Sequence, residues 1–199
     1  MIRADHISKT FEGRTVLNDI SVEFDTGKTN LIIGRSGSGK TVLLKSLVGL
    51  HDVDSGKIFY DDVCYTDLGF KERKTIRKDI GMIFQGGALL DSSTVRENVR
   101  LPLDLFTEMS EGEKRDRVDF CLERVRLVGA DHLYPSELSG GMVKRVAIAR
   151  ALIAKPRVIL ADEPTGNLDP ATSEQIVNHL HEIANNGTAV IMATHNLSL

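Results

Sequence analysis

Residues 29–50 read TNLIIGRSGSGKTVLLKSLVGL, and this stretch decides the fold. Residues 30–33 predict a short buried strand because Leu31, Ile32 and Ile33 are consecutive apolar residues, and residues 41–50 have the spacing of a helix. Between them, residues 34–41 match the pattern G-x-x-x-x-G-K-[ST], and a strand before and a helix after it are the context that this pattern requires. The stretch therefore predicts a phosphate-binding loop.

The chemistry of this loop follows from its residue types. Glycines let the backbone curl so that successive N–H groups point at phosphate oxygens. The loop also ends at a helix N-terminus, whose dipole favours an anion. Lys40 is expected to reach the β- and γ-phosphates, and Thr41 to supply a hydroxyl to Mg²⁺. The residues predicted to bind the phosphates are Gly34, Ser36, Gly37, Ser38, Gly39, Lys40 and Thr41.

A second apolar strand ends in two acidic residues. Residues 158–161 read VILA and are followed by Asp162 and Glu163. A strand tip beside a phosphate loop is where a carboxylate holds Mg²⁺, so Asp162 is predicted to be a metal ligand. Glu163 is predicted to polarise the attacking water as a general base. Strands often end in acidic residues, so this pattern alone is weak evidence. It becomes strong evidence because a phosphate-binding loop precedes it in the chain.

The composition is that of an ordinary globular protein. A length of 199 residues predicts one domain, with 41% hydrophobic and 27% charged residues. The net charge of −3 argues against nucleic acid or an anionic membrane surface as the main partner. Cys64 and Cys121 are expected to be reduced thiols. No apolar run approaches the ~18 residues of a spanning helix, so a membrane role is predicted to require a partner.

Apolar strands alternate with helical segments in the second half of the chain. Residues 142–154 and 170–184 predict helices, and residues 158–161 and 189–192 predict buried strands. This order predicts a mostly parallel sheet that is covered on both faces. The basic cluster at residues 71–78 is interpreted as a solvated face.

Histidines on the second of these helices are not predicted to bind metal. His179 and His181 are two positions apart, so they do not share a helix face. We expect both to lie on the surface.

Residues 138–142 read LSGGM, precede the acidic strand and open a helix. This block, with the phosphate loop before it and the acidic strand after it, resembles the ABC transporter ATPases (ATP-binding cassettes), whose signature is usually LSGGQ. The resemblance spans nearly the whole chain and implies ATP as substrate and Mg²⁺ as cofactor. It implies an α/β fold: a P-loop nucleotide-binding domain with a mostly parallel core sheet, an N-terminal antiparallel β-subdomain and a helical signature subdomain.

The resemblance also sets expectations about domain limits. Residues 1–199 are expected to form one nucleotide-binding domain, with residues 86–140 as the helical subdomain inserted in the ATPase core. Cassettes usually continue past the last motif with a further strand and helix. We therefore expect the chain to be short after His195.

Four further positions match family motifs. Phe11, in SKTFEG, lies where the family places an aromatic ring that stacks on adenine; the alternative is a core phenylalanine. Gln85, in MIFQGG, matches the glutamine that contacts the metal region and links to the membrane partner. Asp169, in NLD, matches the D-loop, and His195, in MATHN, matches the histidine that contacts the γ-phosphate. The expected catalytic residues are Glu163, His195 and Gln85, and the expected metal ligands are Thr41, Gln85 and Asp162.

The signature block has its own chemistry. Ser139, Gly140 and Gly141 lie at a predicted helix N-terminus, which is an anion site without a lysine. In the family this site completes the nucleotide pocket of the opposite subunit, so the resemblance implies a head-to-tail homodimer that encloses two ATP. Met142 departs from the usual glutamine. Since the backbone N–H groups and Ser139 would make the phosphate contacts, hydrolysis is expected to survive.

Different blocks resemble different branches of the family. Residues 83–103 and 133–151 look like the ATPase of Mce/Mla-type phospholipid transport systems. Residues 161–170 and 190–196 look more like cell-division and lipoprotein-release cassettes. The favoured prediction is an ATPase that drives lipid transport through a separate permease on the inner face of the cell membrane. The alternative is a cassette that transmits a conformational signal to a membrane partner. A cassette acting on ribosomes or DNA is disfavoured, because those proteins usually carry two cassettes or a long insertion.

Overall fold

Two four-stranded sheets form the framework of the protein, in a computed structural model that describes residues 1–195. One sheet is antiparallel and the other is parallel, with strand orders β2-β1-β4-β5 and β3-β8-β7-β6. The strands are β1 (Ile2–Phe11), β2 (Arg14–Phe24), β3 (Thr29–Ile33), β4 (Ser55–Tyr60), β5 (Val63–Cys64), β6 (Ile80–Ile83), β7 (Val158–Asp162) and β8 (Ala189–Thr194). The predicted class, with an N-terminal antiparallel sheet and a parallel core, is confirmed.

Six α-helices occur in residues 1–195. They are α1 (Lys40–Leu47), α2 (Phe70–Arg77), α3 (Val95–Phe106), α4 (Glu111–Arg124), α5 (Gly140–Leu152) and α6 (Pro170–Asn185). Thr94, Ser110 and Asp169 are the N-caps of α3, α4 and α6, and each accepts a hydrogen bond from a backbone N–H in the first turn. None of these helices is long and apolar enough to cross a membrane.

The central strands β7 and β8 of the parallel sheet are buried on both faces, as their apolar runs predicted. The burial predicted for residues 30–33 is wrong, because β3 is an edge strand and leaves Leu31 and Ile33 45% and 52% exposed. In β7, Ile159 and Ala161 pack into a cluster with residues of α3 to α6. Val158 and Leu160 point the other way, into a cluster with α1 and the antiparallel sheet. Because successive side chains of a strand alternate between faces, a continuous apolar run is what a doubly covered strand requires.

Gly81 allows α5 to approach β6 closely. A Cβ at this position would lie 2.6 Å from the carbonyl oxygen of Ala151. We expect Gly81→Ala to lower the free energy of unfolding by about 1–3 kcal/mol, since overpacking a rigid interface forces the backbone to move. Thermal melts measure this change. Gly112→Ala is the control, because that position has open space and the substitution favours a helix; equal melting temperatures for the two variants would contradict the prediction.

The basic cluster at residues 71–78 is not simply a solvated face. Residues 70–77 form α2, which was not predicted, and two of its arginines turn inward. Arg77 donates to the carbonyl oxygens of Val48 and Gly49, at 3.1 and 2.7 Å, just beyond the C-terminus of α1. Arg73 pairs with Asp52 at 2.7 Å. A cation at a helix C-terminus is favoured by the helix dipole, so these charges hold α2 against α1.

The surface position expected for His179 is also wrong. His179 is only 9% exposed, whereas His181 is exposed as expected. His179 lies one turn from Ile176 on α6 and extends the buried face of that helix. The predicted shortening after His195 concerns positions outside the described residues.

Candidate functional site

The phosphate-binding loop lies at the carboxyl edge of the parallel sheet. It connects β3 to α1, and the backbone N–H of Gly34 donates to the carbonyl oxygen of Thr194 at the end of β8, at 3.4 Å. Asp162 ends β7 at the same edge. Because all four strands run in parallel, their ends bring the loop, the acidic pair and the histidine after β8 together.

Glycine is required at the end of this loop for two reasons. Gly39 has a φ of 99°, which L-residues rarely adopt, and a Cβ there would lie 3.0 Å from the carbonyl oxygen of Val16. Val16 belongs to β2, so the loop packs directly against the antiparallel sheet. That sheet also carries Phe11 at the end of β1.

Lys40 is held inside the loop by oxygen atoms. Its Nζ donates to the carbonyl oxygens of Gly34 and Arg35, at 2.9 and 3.1 Å. It also lies 3.4 Å from Oε1 of Glu163, and both side chains are 8% exposed. A desolvated ammonium at this position can contact the β- and γ-phosphates of a nucleotide bound on the loop.

Thr41 and Asp162, the two predicted metal ligands at this edge of the sheet, are in direct contact. Oγ1 of Thr41 donates to Oδ1 of Asp162 at 3.0 Å. Adjacent ligands of Mg²⁺ at 2.0–2.1 Å are separated by about 3 Å, so this spacing fits an octahedral site. No cluster of three or more His, Cys, Asp or Glu side chains suited to a metal occurs in residues 1–195.

Glu163 joins the lysine and the histidine. Its Oε2 lies 2.9 Å from Nδ1 of His195, while Oε1 faces Lys40. The backbone of Glu163 has a φ of 48°, a left-handed conformation that costs energy for a residue with a side chain. The N–H of Glu163 donates to the carbonyl oxygen of Ala193 at 2.9 Å, which holds the strained residue in place. Strain at a buried carboxylate indicates a functional position.

Gln85 faces the same region from the end of β6. Its side chain is exposed and lines a cavity of about 900 Å³ together with Glu163, Asn167 and His195. The structure thus brings the three predicted catalytic residues to one cavity, whereas Thr41 and Asp162 are not among its lining residues.

Phe11 is not a core residue. Its ring is 36% exposed and meets the ring of His51 edge-on, with a centroid distance of 5.2 Å. The Nζ of Lys9 lies 5.3 Å from the ring centre. An exposed ring on the sheet that supports the phosphate loop is available for stacking, and its contact with adenine remains a prediction.

The signature residues lie around a different cavity, about 540 Å³ in volume, which we call the signature cavity. Ser139 is the N-cap of α5, and its Oγ accepts from the N–H of Met142 at 3.3 Å. Asp169 is the N-cap of α6 and accepts from the N–H of Thr172 at 3.0 Å. Hydrogen bonding from the side chain and then the backbone of Thr172 lowers the pKa of the Asp169 carboxyl group. The residues that line the signature cavity include Arg126, Ser139, Gly140, Gly141, Arg145, Asn167 and Asp169. Among residues 1–195, none of the phosphate loop lines it, so the structure does not bring the two half-sites together.

Lys144 is a site residue that sequence reasoning missed. It is 5% exposed, and its Nζ donates to the carbonyl oxygen of Gln85 and, at 3.4 Å, to that of Glu163. Burial lowers the pKa of Lys144. The negative charges of Asp162 and Glu163 act in the opposite direction but do not reverse this shift. The available signal was a lysine within the mostly apolar helix at residues 142–154. Lys144 therefore links the signature helix α5 to the main chain at two expected catalytic residues.

We expect Lys144→Met to lower kcat for ATP roughly tenfold while the KM changes little, since two carbonyl groups lose their donor and the catalytic side chains lose their alignment. Steady-state phosphate release measures both constants. Lys114→Met is the control, because Lys114 is similarly buried but pairs with Asp104 on α3 at 2.8 Å, away from the site. Equal loss of thermal stability in both variants with no loss of kcat would give Lys144 a purely structural role.

The fold and the site define an ATPase of the P-loop class. The sequence model of the ABC transporter family matches residues 17–166, and the chain belongs to this family. It is 42% identical over 200 residues to the cell division ATP-binding protein FtsE of Escherichia coli (strain K12), covering 100% of this chain and 90% of that protein. It is 39% identical to the methionine import ATP-binding protein MetN of Campylobacter jejuni, covering 100% of this chain and 64% of that protein.

Solved structures agree with this assignment. The dimeric, post-hydrolysis structure of the ATP-binding cassette MJ0796 bound to ADP and Pi has a TM-score of 0.91 at 35% identity. That comparison covers 100% of this chain and 89% of the other. The chain is therefore the ATPase component of an ABC transporter, as its motifs predicted.

Proposed function

We propose that residues 1–199 act as one nucleotide-binding domain that hydrolyses Mg²⁺-ATP in a head-to-tail homodimer, with residues 86–140 as its helical subdomain. The observation that carries the proposal is the position of Glu163, which is buried, strained and placed between Lys40 and His195. This carboxylate lies one residue from Asp162, whose contact with Thr41 fits a Mg²⁺ site.

Each residue of the site has a distinct task in this proposal. Lys40 and the inward N–H groups of the loop hold the β- and γ-phosphates, and Phe11 stacks on adenine. Thr41 and Asp162, with Gln85, hold Mg²⁺, which when bound neutralises charge on the phosphates. Glu163 accepts the proton of the attacking water, as a general base must lie within hydrogen-bond reach of the water it activates.

His195 and Lys40 control the carboxylate of Glu163. The imidazole of His195 fixes one oxygen of this carboxylate at 2.9 Å and can turn from it to the γ-phosphate. Binding of phosphate at Lys40 draws the ammonium from the other oxygen, 3.4 Å away. Both changes free the carboxylate of Glu163 to contact water.

The second half-site completes the pocket of the partner copy. Ser139, Gly140, Gly141 and Asp169 are proposed to face the nucleotide held by the other subunit. A relative of high structural similarity is described as a dimer bound to ADP and Pi, which supports this arrangement. ATP closes the dimer to the extent that it binds the closed form more tightly than the open one.

Similarity favours a cell-division-type cassette over the lipid transporter that the middle of the sequence suggested. The FtsE proteins match at 38–42% identity over nearly the whole chain. We therefore propose that the dimer acts at the inner face of the cell membrane through a separate integral membrane partner, to which it transmits a conformational signal. Phospholipid transport is the second candidate, because residues 83–103 and 133–151 resemble the Mce/Mla-type ATPases.

Capture of the membrane partner tests this proposal. Tagged Glu163→Gln protein is incubated with solubilised membranes and Mg²⁺-ATP, and the retained membrane protein and its lipids are identified by mass spectrometry. Lys40→Met protein, which is expected to bind ATP poorly, is the control. A division-type partner without stoichiometric lipid supports the favoured function, an Mce-type permease with bound phospholipid supports the second, and equal capture by both variants contradicts an ATP-dependent partnership.

A further inference from the structure

Arg126 lies just beyond the C-terminus of helix α4 and has a backbone conformation that glycine usually adopts. Its φ is 58°, its N–H donates to the carbonyl oxygen of Glu123 at 3.0 Å, and the N–H of Leu127 donates to that of Leu122 at 2.9 Å. This is the left-handed position just past a helix C-terminus, where the absence of a Cβ makes glycine the favoured residue. An arginine here is a steric cost that the helix end does not require.

The side chain of Arg126 opens onto the signature cavity. It is exposed and makes no side-chain hydrogen bond or ion pair with any of residues 1–195. Arg145, on the same cavity, is held in place by the carbonyl oxygen of Val125 at 3.3 Å and by the side chain of Gln175. Asp169 is the acidic residue among those that line the cavity, and its carboxylate already accepts the N–H of Thr172.

The positive charge of Arg126 and Arg145 also affects the pKa of a histidine on the neighbouring helix α6. Burial lowers the pKa of His179 on α6, and the positive charges of Arg145 and Arg126 lower it further. The negative charge of Glu182 raises it, but by less. The lining of the signature cavity, with two arginines and one acidic side chain, carries a net positive charge. A cationic cavity next to a helix N-terminus attracts an anion more strongly than the backbone N–H groups alone.

We propose that Arg126 binds a phosphate oxygen of the ATP held on the phosphate loop of the partner subunit. A guanidinium is suited to this contact because its planar N–H donors match the oxygens of a phosphate group. Arg126 thus adds a charged donor to the phosphate contacts expected from the Ser139 hydroxyl and the backbone N–H groups of the signature residues. This inference rests on the proposed head-to-tail dimer and adds a residue to it.

Replacing Arg126 with glycine separates two effects of this residue. Its backbone strain destabilises the fold, whereas its proposed phosphate contact stabilises the dimer. In a Glu163→Gln background, Arg126→Gly should raise the melting temperature, since the left-handed strain is relieved. The same change should weaken the ATP-dependent dimer roughly tenfold or more, which is the range expected for loss of one charge-assisted hydrogen bond. Binding of ATP to the monomer at low protein concentration should be unchanged. Analytical ultracentrifugation with and without Mg²⁺-ATP measures the dimer.

Lys155→Gly is the matched control. Lys155 has a φ of 54° and is exposed beyond the end of α5, so its replacement relieves the same kind of strain without touching the signature cavity. It should raise the melting temperature and leave the dimer unchanged. Arg126→Lys retains the charge and should keep more of the dimer than Arg126→Gly does.

The outcomes distinguish this inference from the proposed function. A Glu163→Gln parent that dimerises with ATP, and an Arg126→Gly variant that dimerises equally well, would overturn the role of Arg126 alone. A parent that stays monomeric at all ATP concentrations would overturn the dimer and, with it, the contact across it. A stabilised Arg126→Gly variant with a weakened dimer supports the inference.

Discussion

Replacing Glu163 with glutamine is expected to slow ATP hydrolysis at least about 100-fold, because the amide cannot accept the proton of the attacking water. The ATP affinity should be unchanged or slightly higher, since the neutral amide no longer competes with phosphate for Lys40, which lies 3.4 Å from the carboxylate. The variant should therefore accumulate as an ATP-bound dimer. Phosphate release in single-turnover experiments measures the rate, and gel filtration with ATP measures the dimer.

Glu174→Gln is the control for this experiment. Glu174 lines the same 900 Å³ cavity but is exposed and lies on α6, away from the phosphate loop. It removes one negative charge from the cavity and should leave the rate within about twofold. Hydrolysis by Glu163→Gln at the parent rate would show that another group activates the water.

The site residues that the sequence predicted correctly either form one continuous segment or lie at the end of a strand. The phosphate loop is one segment of eight residues, and its strand–loop–helix order follows from local patterns. Asp162 and His195 each follow an apolar strand, and parallel strands bring their ends to one edge of the sheet. Local patterns therefore predicted the phosphate loop and Asp162, whereas the role of His195 was predicted only from the family resemblance.

The parts that it missed depend on contacts between distant segments. Lys144 reaches the carbonyl groups of Gln85 and Glu163, which lie 59 and 19 positions away. No local pattern encodes a hydrogen bond to a main-chain carbonyl, because every residue type has one. His179 was misplaced for a related reason, since the helix face it occupies is buried by neighbours that the sequence does not identify.

The two proposed half-sites of the chain differ in their balance of charge. The phosphate loop balances its lysine with Glu163, whereas the signature cavity has two arginines and one acidic side chain that is already engaged. The first half-site is therefore neutralised within the chain, and the second is not. In the proposed dimer, the anion held by the other copy balances the second half-site, and this attraction would add an electrostatic driving force to the contact area.

Replacing Lys40 with methionine is expected to lower the affinity for ATP about 100-fold or more, because the loop loses the cation that contacts the phosphates. It should also lower thermal stability, since it leaves the buried carboxylate of Glu163 without its ammonium partner. Nucleotide titration and thermal melts measure the two effects. Lys45→Met, on the same helix but away from the loop, is the control for loss of one positive charge.

The double variant Lys40→Met/Glu163→Gln separates these two causes. The stability lost in Lys40→Met should be largely restored, because a neutral amide at position 163 no longer needs a cation. The loss of ATP affinity should persist, because the phosphates still lack their lysine. If affinity returned together with stability, Lys40 would act on the nucleotide only by neutralising Glu163, and the direct phosphate contact would be wrong. Since the two outcomes differ in ATP affinity alone, one titration of the double variant decides between them.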